Sequence, residues 1–157
     1  MSVTKIEEYW HIYARENGLN MSVPDAWMFG DGSKEMGDAL GSLVVKGIKT
    51  ATCPALCVFD LEKIEIPKVG QYDIVLDGDN NPLAIIKYIK VDFVKMNEVT
   101  SDFAKTEGEG DLSFDYWYSE HVKFFTQELS QYGLAFTPDL LLVCQTFKVM
   151  DVYKDKV

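Results

Sequence analysis

The chain has 157 residues, 47% of them hydrophobic, and a formal net charge of −10, with Arg15 the one arginine among fifteen basic residues. That length supports one domain with a real core, and no Pro/Gly/Ser-rich linker divides it. The charge balance argues against a surface that grips long nucleic acid by its phosphates, and no run approaches the roughly 20 apolar residues of a membrane span.

At the start, Thr4 and Glu7 have capping-box spacing, and Ile6, Tyr9, Trp10 and Tyr13 form an apolar stripe. This predicts a helix to about Asn17, closed by Gly18. Lys5, Glu7 and Glu8 stand where a signal peptide would need apolar residues, so a cytoplasmic protein is expected. Leu19 to Gly32 reads as a loop carrying Pro24 and the run Trp27-Met28-Phe29-Gly30-Asp31-Gly32, which either pins the helix to the core or walls a pocket. From Ser33 to Lys46, Met36, Leu40, Leu43 and Val44 mark one face of a second helix. Gly47 then sits where that helix ends, and glycine takes the left-handed conformation of such a position at little steric cost. Lys49, Thr50 and Thr52 follow at once, on a turn that holds side chains rigidly and leaves them reachable.

Ala51 to Phe59 has the composition of a short strand made irregular by Pro54. Pro67 to Gly70 is a turn, Tyr72 to Leu76 a strand, Asp77 to Asn81 a hairpin loop, and Leu83 to Val91 the returning strand. A short helix is expected over Glu98 to Lys105, then a glycine-spaced acidic loop from Thr106 to Gly110. Ser113 and Asp115 can cap a further helix, on which Trp117, His121, Phe124 and Phe125 share a face. Leu140 to Tyr153 closes the chain as one or two strands. Strands in the middle and end with helices between them predict an α+β, barrel-like sheet rather than a βαβ layer fold.

Three cysteines give no paired framework, and Cys53 and Cys57 have no histidine nearby in sequence to complete a zinc set. They read as buried structural thiols, and neither a metal nor another cofactor is expected. His121 reads as a core histidine satisfied by a polar neighbour.

Taken together, Trp27 with Phe29-Gly30-Asp31, Asp38 with Leu40 and Leu43-Val44, Gly47-Ile48-Lys49-Thr50-Ala51-Thr52 and Lys68-Val69-Gly70 resemble the ASCH domain family. Phe103-Ala104, Glu107-Gly108-Glu109-Gly110-Asp111, Trp117, His121, Phe124-Phe125 and Phe147 continue the resemblance in order. It implies a single domain over residues 1–157, with a PUA-like β-barrel, helices packed around it and residues 1–25 as an N-terminal helical extension. It also implies a pocket facing RNA or a nucleoside. Some similar proteins look like amidohydrolases acting on acetylcytidine, some like ribonucleases acting on single strands, and others are presumed RNA binders without catalysis. Carried over residue by residue, the amidohydrolase pattern places catalytic roles on Lys49, Thr52 and Glu107. Where similar sequences commonly have an arginine after the helix tryptophan this chain has Tyr118, which weakens the strand-cleaving reading.

Amide hydrolysis needs a nucleophile, a base and an acid for the leaving amine. Thr52 fits the first role, Lys49 the second if its pKa is lowered, and Glu107 the third if burial raises its own. Residues three apart in a regular strand face opposite sides, so Lys49 and Thr52 share a pocket only if the backbone turns between them. The plainer alternatives are a surface or phosphate-binding lysine, a strand threonine and a solvated acidic loop. Trp27, Phe29, Trp117 and Tyr118 offer faces for a base, with Thr50 and Glu109 completing the expected binding set. The expected partner is a modified nucleoside or short single-stranded RNA.

Overall fold

Thr4 opens α1 (Lys5–Glu16) by accepting the Glu7 amide on its hydroxyl, and Asn17 closes it. Tyr9, Trp10 and Tyr13 bury that helix's apolar stripe against Tyr72, Ile74, Leu76 and Ile85. The computed structural model describes residues 4–154, so the first three residues of the expected extension and the last three of the chain lie outside the described residues. β1 (Ala26–Met28) lies within the segment expected to be a loop. Ser33 caps α2 (Lys34–Val45), whose Val44 packs with Phe29, Val75, Ala84, Ile86, Tyr88 and Phe147 on the sheet face opposite α1.

After the turn at Gly47 the chain forms β2, only Ala51–Thr52, and then α3 (Leu56–Glu62), where the sequence suggested a strand to Phe59. Pro54 has no amide for a ladder, but its carbonyl accepts Val143 N–H at 2.8 Å and Ala55 makes a single bridge to Leu142 before the helix begins. β3 (Tyr72–Leu76) and β4 (Pro82–Lys95) form the expected hairpin, with β4 running beyond Val91. A 3-10 turn (Met96–Glu98) and α4 (Ser101–Thr106) take the place of the predicted short helix. α5 (Phe114–Ser130) starts at its Ser113 cap, and β5 (Leu141–Val152) is one closing strand.

The five strands form one mixed sheet in the order β1-β3-β4-β5-β2. β1 runs parallel to β3, and the other pairings are antiparallel. The expected closed barrel is not formed: the sheet is open, with three-residue β1 and two-residue β2 at its edges. Register shifts near Ile85 and between Tyr88 and Lys90 mark irregularities in the long β4–β5 ladder, and such bulges bend a strand and increase its twist. No described helix is long and apolar enough to cross a membrane. Alternation along β3 sends Tyr72, Ile74 and Leu76 toward α1, which leaves Asp73 and Val75 on the α2 face. A third cluster of Cys53, Met96, Trp117, Phe125, Leu142 and Cys144 lies under α4 and α5.

Candidate active site

The end of α2 sets the position of Lys49. Gly47 has φ 75°, and the amides of Ile48 and Lys49 both donate to Leu43 O, at 2.9 and 3.1 Å. The lysine therefore belongs to a helix-terminating turn and not to a strand, which removes the alternation conflict with Thr52. Thr50 N–H donates to Thr106 O at 2.8 Å, and the Thr50 hydroxyl donates to the same carbonyl at 3.2 Å. This joins the Lys49 turn to the end of α4, where Glu107 is the capping residue. Gly108 follows with φ 71°, and a Cβ there would lie 2.5 Å from Ile48 O, so only glycine lets the two segments lie this close.

Lys49 is 1% exposed. Its Nζ donates to Glu107 Oε1 at 3.1 Å and to Glu109 Oε2 at 2.9 Å, lies 3.5 Å from Glu107 O, and sits 5.3 Å from the centre of the Phe29 ring. The other oxygen of Glu107, Oε2, faces Cys53 Sγ at 3.1 Å, His121 Nε2 at 3.1 Å and the Trp117 indole N–H. His121 Nδ1 lies 2.7 Å from Trp117 O, which can only accept, so Nδ1 carries a proton. Nε2 faces a carboxylate and must carry one too while Glu107 is ionised. The ring is then an imidazolium stacked on Trp117, with centroids 4.4 Å apart.

The electrostatics agree with that assignment. Burial pushes Glu107 up, but Lys49 and His121 outweigh it and hold the carboxyl well below its ordinary value. Burial pushes Lys49 and His121 down, and the nearby carboxylates more than compensate, so both are raised. Burial and the Glu107 charge hold the Cys53 thiol protonated, well above its usual range. Lys49 and Glu107 thus rest with protonation opposite to that of a ready base and a ready acid. An ammonium and an imidazolium stand against two carboxylates, and no described buried side-chain polar atom lacks a partner.

This cluster borders a cleft of about 1000 Å³ that Lys49, Thr52, Glu107, Glu109, Trp27 and Phe29 all line. Trp27 stands edge-on to Phe29 at 4.6 Å. Thr52 pairs directly with Gln145 across β2 and β5, so the two side chains project from the same face, and Gln145 lines the cleft while 2% exposed. Three of the expected binding residues do not line the cleft. Thr50 is tied to Thr106 O, the Trp117 ring is buried behind Glu107, and Tyr118 packs on Phe114 and Trp117.

Other groups at the site were not singled out from the sequence. Cys53 and His121, read as core residues, meet at Glu107. Asp73 lines the cleft and accepts from Trp27 Nε1 at 2.8 Å, Tyr88 OH at 2.7 Å and Gln71 Nε2 at 3.2 Å. Burial raises its pKa in spite of those donors. A carboxylate inside the apolar run Tyr72–Leu76 is a signal that could have drawn attention to it. Tyr116 also borders the cleft, its ring occupying the space that a Cβ on Gly110 would need. Eight carboxylate side chains and two lysines line the cleft, so its walls are predominantly acidic.

Comparison with known proteins follows the same outline. No curated protein matches the chain. A crystal structure of a protein from Enterococcus faecalis V583 is similar, with 52% identity, a TM-score of 0.88, and 94% of this chain and 89% of that one covered. The crystal structure of an ASCH domain from Lactobacillus crispatus JV V101 is similar at 27% identity, with a TM-score of 0.80 and 95% and 98% of the two chains covered. The model of the ASCH domain family matches residues 25–151, from the residue before β1 to the penultimate residue of β5. The chain belongs to the ASCH domain family.

Proposed function

We propose that the cleft binds a modified nucleoside, or the end of a short single-stranded RNA, and hydrolyses an amide on its base. The observation that carries this reading is the buried Lys49–Glu107 pair, 3.1 Å apart, bordering the same cleft as the Thr52 hydroxyl and the Trp27–Phe29 aromatic wall. The acidic lining favours a nucleoside or a short end over a long strand, since each added phosphate meets more carboxylates than lysines.

At rest the pair is ionic. A ligand that expels water from the cleft raises the cost of both charges, and moving one proton from Lys49 Nζ to Glu107 Oε1 removes them together. The neutral amine of Lys49 then accepts the Thr52 hydroxyl proton as its oxygen attacks the amide carbon. Glu107 gives its proton to the leaving nitrogen, the C–N bond breaks, and the acyl group remains as an ester on Thr52. The Glu107 carboxylate then takes a proton from the water that attacks that ester, and the Lys49 ammonium returns its proton to the Thr52 oxygen as the acyl C–O bond breaks, which releases the carboxylic acid and restores Thr52 and the neutral pair.

A second reading, a recognition module without catalysis, is favoured by one observation: Lys49 is already held by two carboxylates and is raised in pKa, as suits a fixed charge. Incubation of the wild type and Lys49→Ala with acetylcytidine and with single-stranded RNA separates the two. The hydrolase reading expects cytidine and acetate from the wild type, and no turnover but retained binding from the variant. Binding without product, lost in the variant, supports the module. Product that persists in Lys49→Ala removes the lysine from the mechanism.

A further inference from the structure

The group formed by Cys53, Glu107 and His121 offers one thiol sulfur, one carboxylate oxygen and one imidazole nitrogen within 4.8 Å of one another. We propose that this group is a binding site for a thiophilic divalent cation, zinc in particular, with an open position toward the cleft. The proposal does not rest on the hydrolase reading, although both use Glu107.

The geometry is close to what a tetrahedral ion asks for. With zinc bonds of about 2.0–2.3 Å, neighbouring ligand atoms stand about 3.3–3.6 Å apart. Here Cys53 Sγ and His121 Nε2 each lie 3.1 Å from Glu107 Oε2, and the widest separation stays within 4.8 Å, so small side-chain rotations suffice. Sulfur, nitrogen and oxygen donors together suit zinc better than magnesium or calcium, which take oxygen.

The surroundings orient the ligands as metal-site neighbours do. A ligating histidine nearly always gives its other ring N–H to a carbonyl or carboxylate, and Nδ1 of His121 lies 2.7 Å from Trp117 O, which leaves Nε2 aimed at the group. The Trp117 indole donates to Glu107 from behind, fixing the carboxylate. Lys49 occupies the opposite oxygen, Oε1, so ligation through Oε2 does not require that contact to break. Its positive charge opposes a cation, and Glu109, 2.9 Å from Nζ, offsets it. All three residues line the cleft, so the proposed ion would enter from it and turn its fourth position toward it. That pattern of three protein ligands and one open site is the arrangement of reactive rather than purely structural zinc. On binding, zinc takes the place of the thiol proton and of the proton between His121 and Glu107, so uptake releases protons to solvent.

The test is titration of the chelator-treated full-length protein with zinc against a chromogenic chelator, with cobalt in a parallel arm. The expected result is one tightly bound zinc per chain. The cobalt form should show a thiolate-to-metal charge-transfer band and the visible spectrum of tetrahedral coordination. Cys53→Ser should abolish the charge-transfer band, and His121→Gln should weaken binding by more than the about 10- to 100-fold that loss of an outer-shell partner costs. Cys57→Ser, which alters the half-buried thiol outside the group, should change neither. A wild type that takes up no stoichiometric zinc overturns the proposal without involving any variant. So does a cobalt spectrum without thiolate character, or one lost in Cys57→Ser rather than Cys53→Ser.

Discussion

Replacing Lys49 by methionine keeps the length of the side chain and removes its charge, leaving Glu107 almost wholly enclosed, with 2% of its side chain exposed. Breaking a buried pair from one side typically costs about 3–5 kcal/mol. An independent ceiling comes from proton uptake: neutralising a carboxyl of ordinary pKa at pH 7.5 costs about 4 kcal/mol, because each pH unit above the pKa adds about 1.4 kcal/mol. His121 still faces Glu107 in the variant, so the loss should not exceed that figure. At pH 5 the same neutralisation costs only about 1 kcal/mol. Lys49→Met should therefore lose about 4 kcal/mol at pH 7.5 and recover about 3 of it at pH 5. For a chain of this size that corresponds to a drop in melting temperature of about 8–16 °C shrinking to a few degrees. Thermal melts of the wild type, Lys49→Met, Glu107→Gln and the double variant at both pH values form a double-mutant cycle. The double variant should be much more stable than the sum of the single losses predicts. Equal losses of Lys49→Met at pH 7.5 and pH 5, or strict additivity, would refute the idea that Glu107 is left as a stranded charge.

The same cluster sets a pH window. Glu107 is depressed, so its contribution is full above about pH 4.3 and is lost as pH falls through its folded value; His121 is raised, so its contribution is full below about pH 6.5 and is lost as pH rises through its folded value. Stability from the cluster should peak between those limits, and His121→Gln should flatten the alkaline side of a melting profile. Gly108→Ala, with φ 71° and a Cβ 2.5 Å from Ile48 O, should cost more than Gly18→Ala, where φ is 65° and no atom lies within 4 Å. The latter should lose only about 1–2 kcal/mol, as judged by denaturant unfolding. Long RNA should bind weakly at moderate ionic strength, because a chain of net charge −10 releases few counterions. Nanomolar affinity with a steep salt slope in a filter-binding titration would reveal a basic groove and favour strand binding.

Much of the framework is legible in one dimension because its causes are local. Thr4 and Ser33 cap the helices they precede, Gly47 turns the chain at the end of α2, and the Asp77–Asn81 loop joins the two hairpin strands. What was missed depends on distant partners. β1 has only three residues and exists because Asp25, Ala26 and Met28 lie along β3, and α3 hides behind Pro54, which reads as a strand irregularity until its carbonyl is seen bonded to Val143. A closed barrel was expected, but strands as short as β1 and β2 leave the sheet open. At the site, Lys49 and Glu107 were identifiable as residues, whereas their protonation was not. Burial alone would lower the lysine and raise the glutamate, and the opposite holds because their charged groups are 3.1 Å apart. Cys53 and His121 looked unrelated because nothing in their spacing shows that both reach Glu107.

The 58-residue separation between Lys49 and Glu107 also bears on the order of folding. An ammonium enters an apolar interior only when its counter-charges arrive with it, so the turn after α2 must keep Lys49 in water until α4 has delivered Glu107 and the Thr50–Thr106 bonds have closed. Closing a loop of that size is entropically costly and comes before any gain from the contacts it allows. The charged centre should accordingly form late, and a chain still lacking α5 has neither Trp117 nor His121 to hold Glu107 in place. The buried ion-pair centre is in that sense withheld until the chain through α5 has been made.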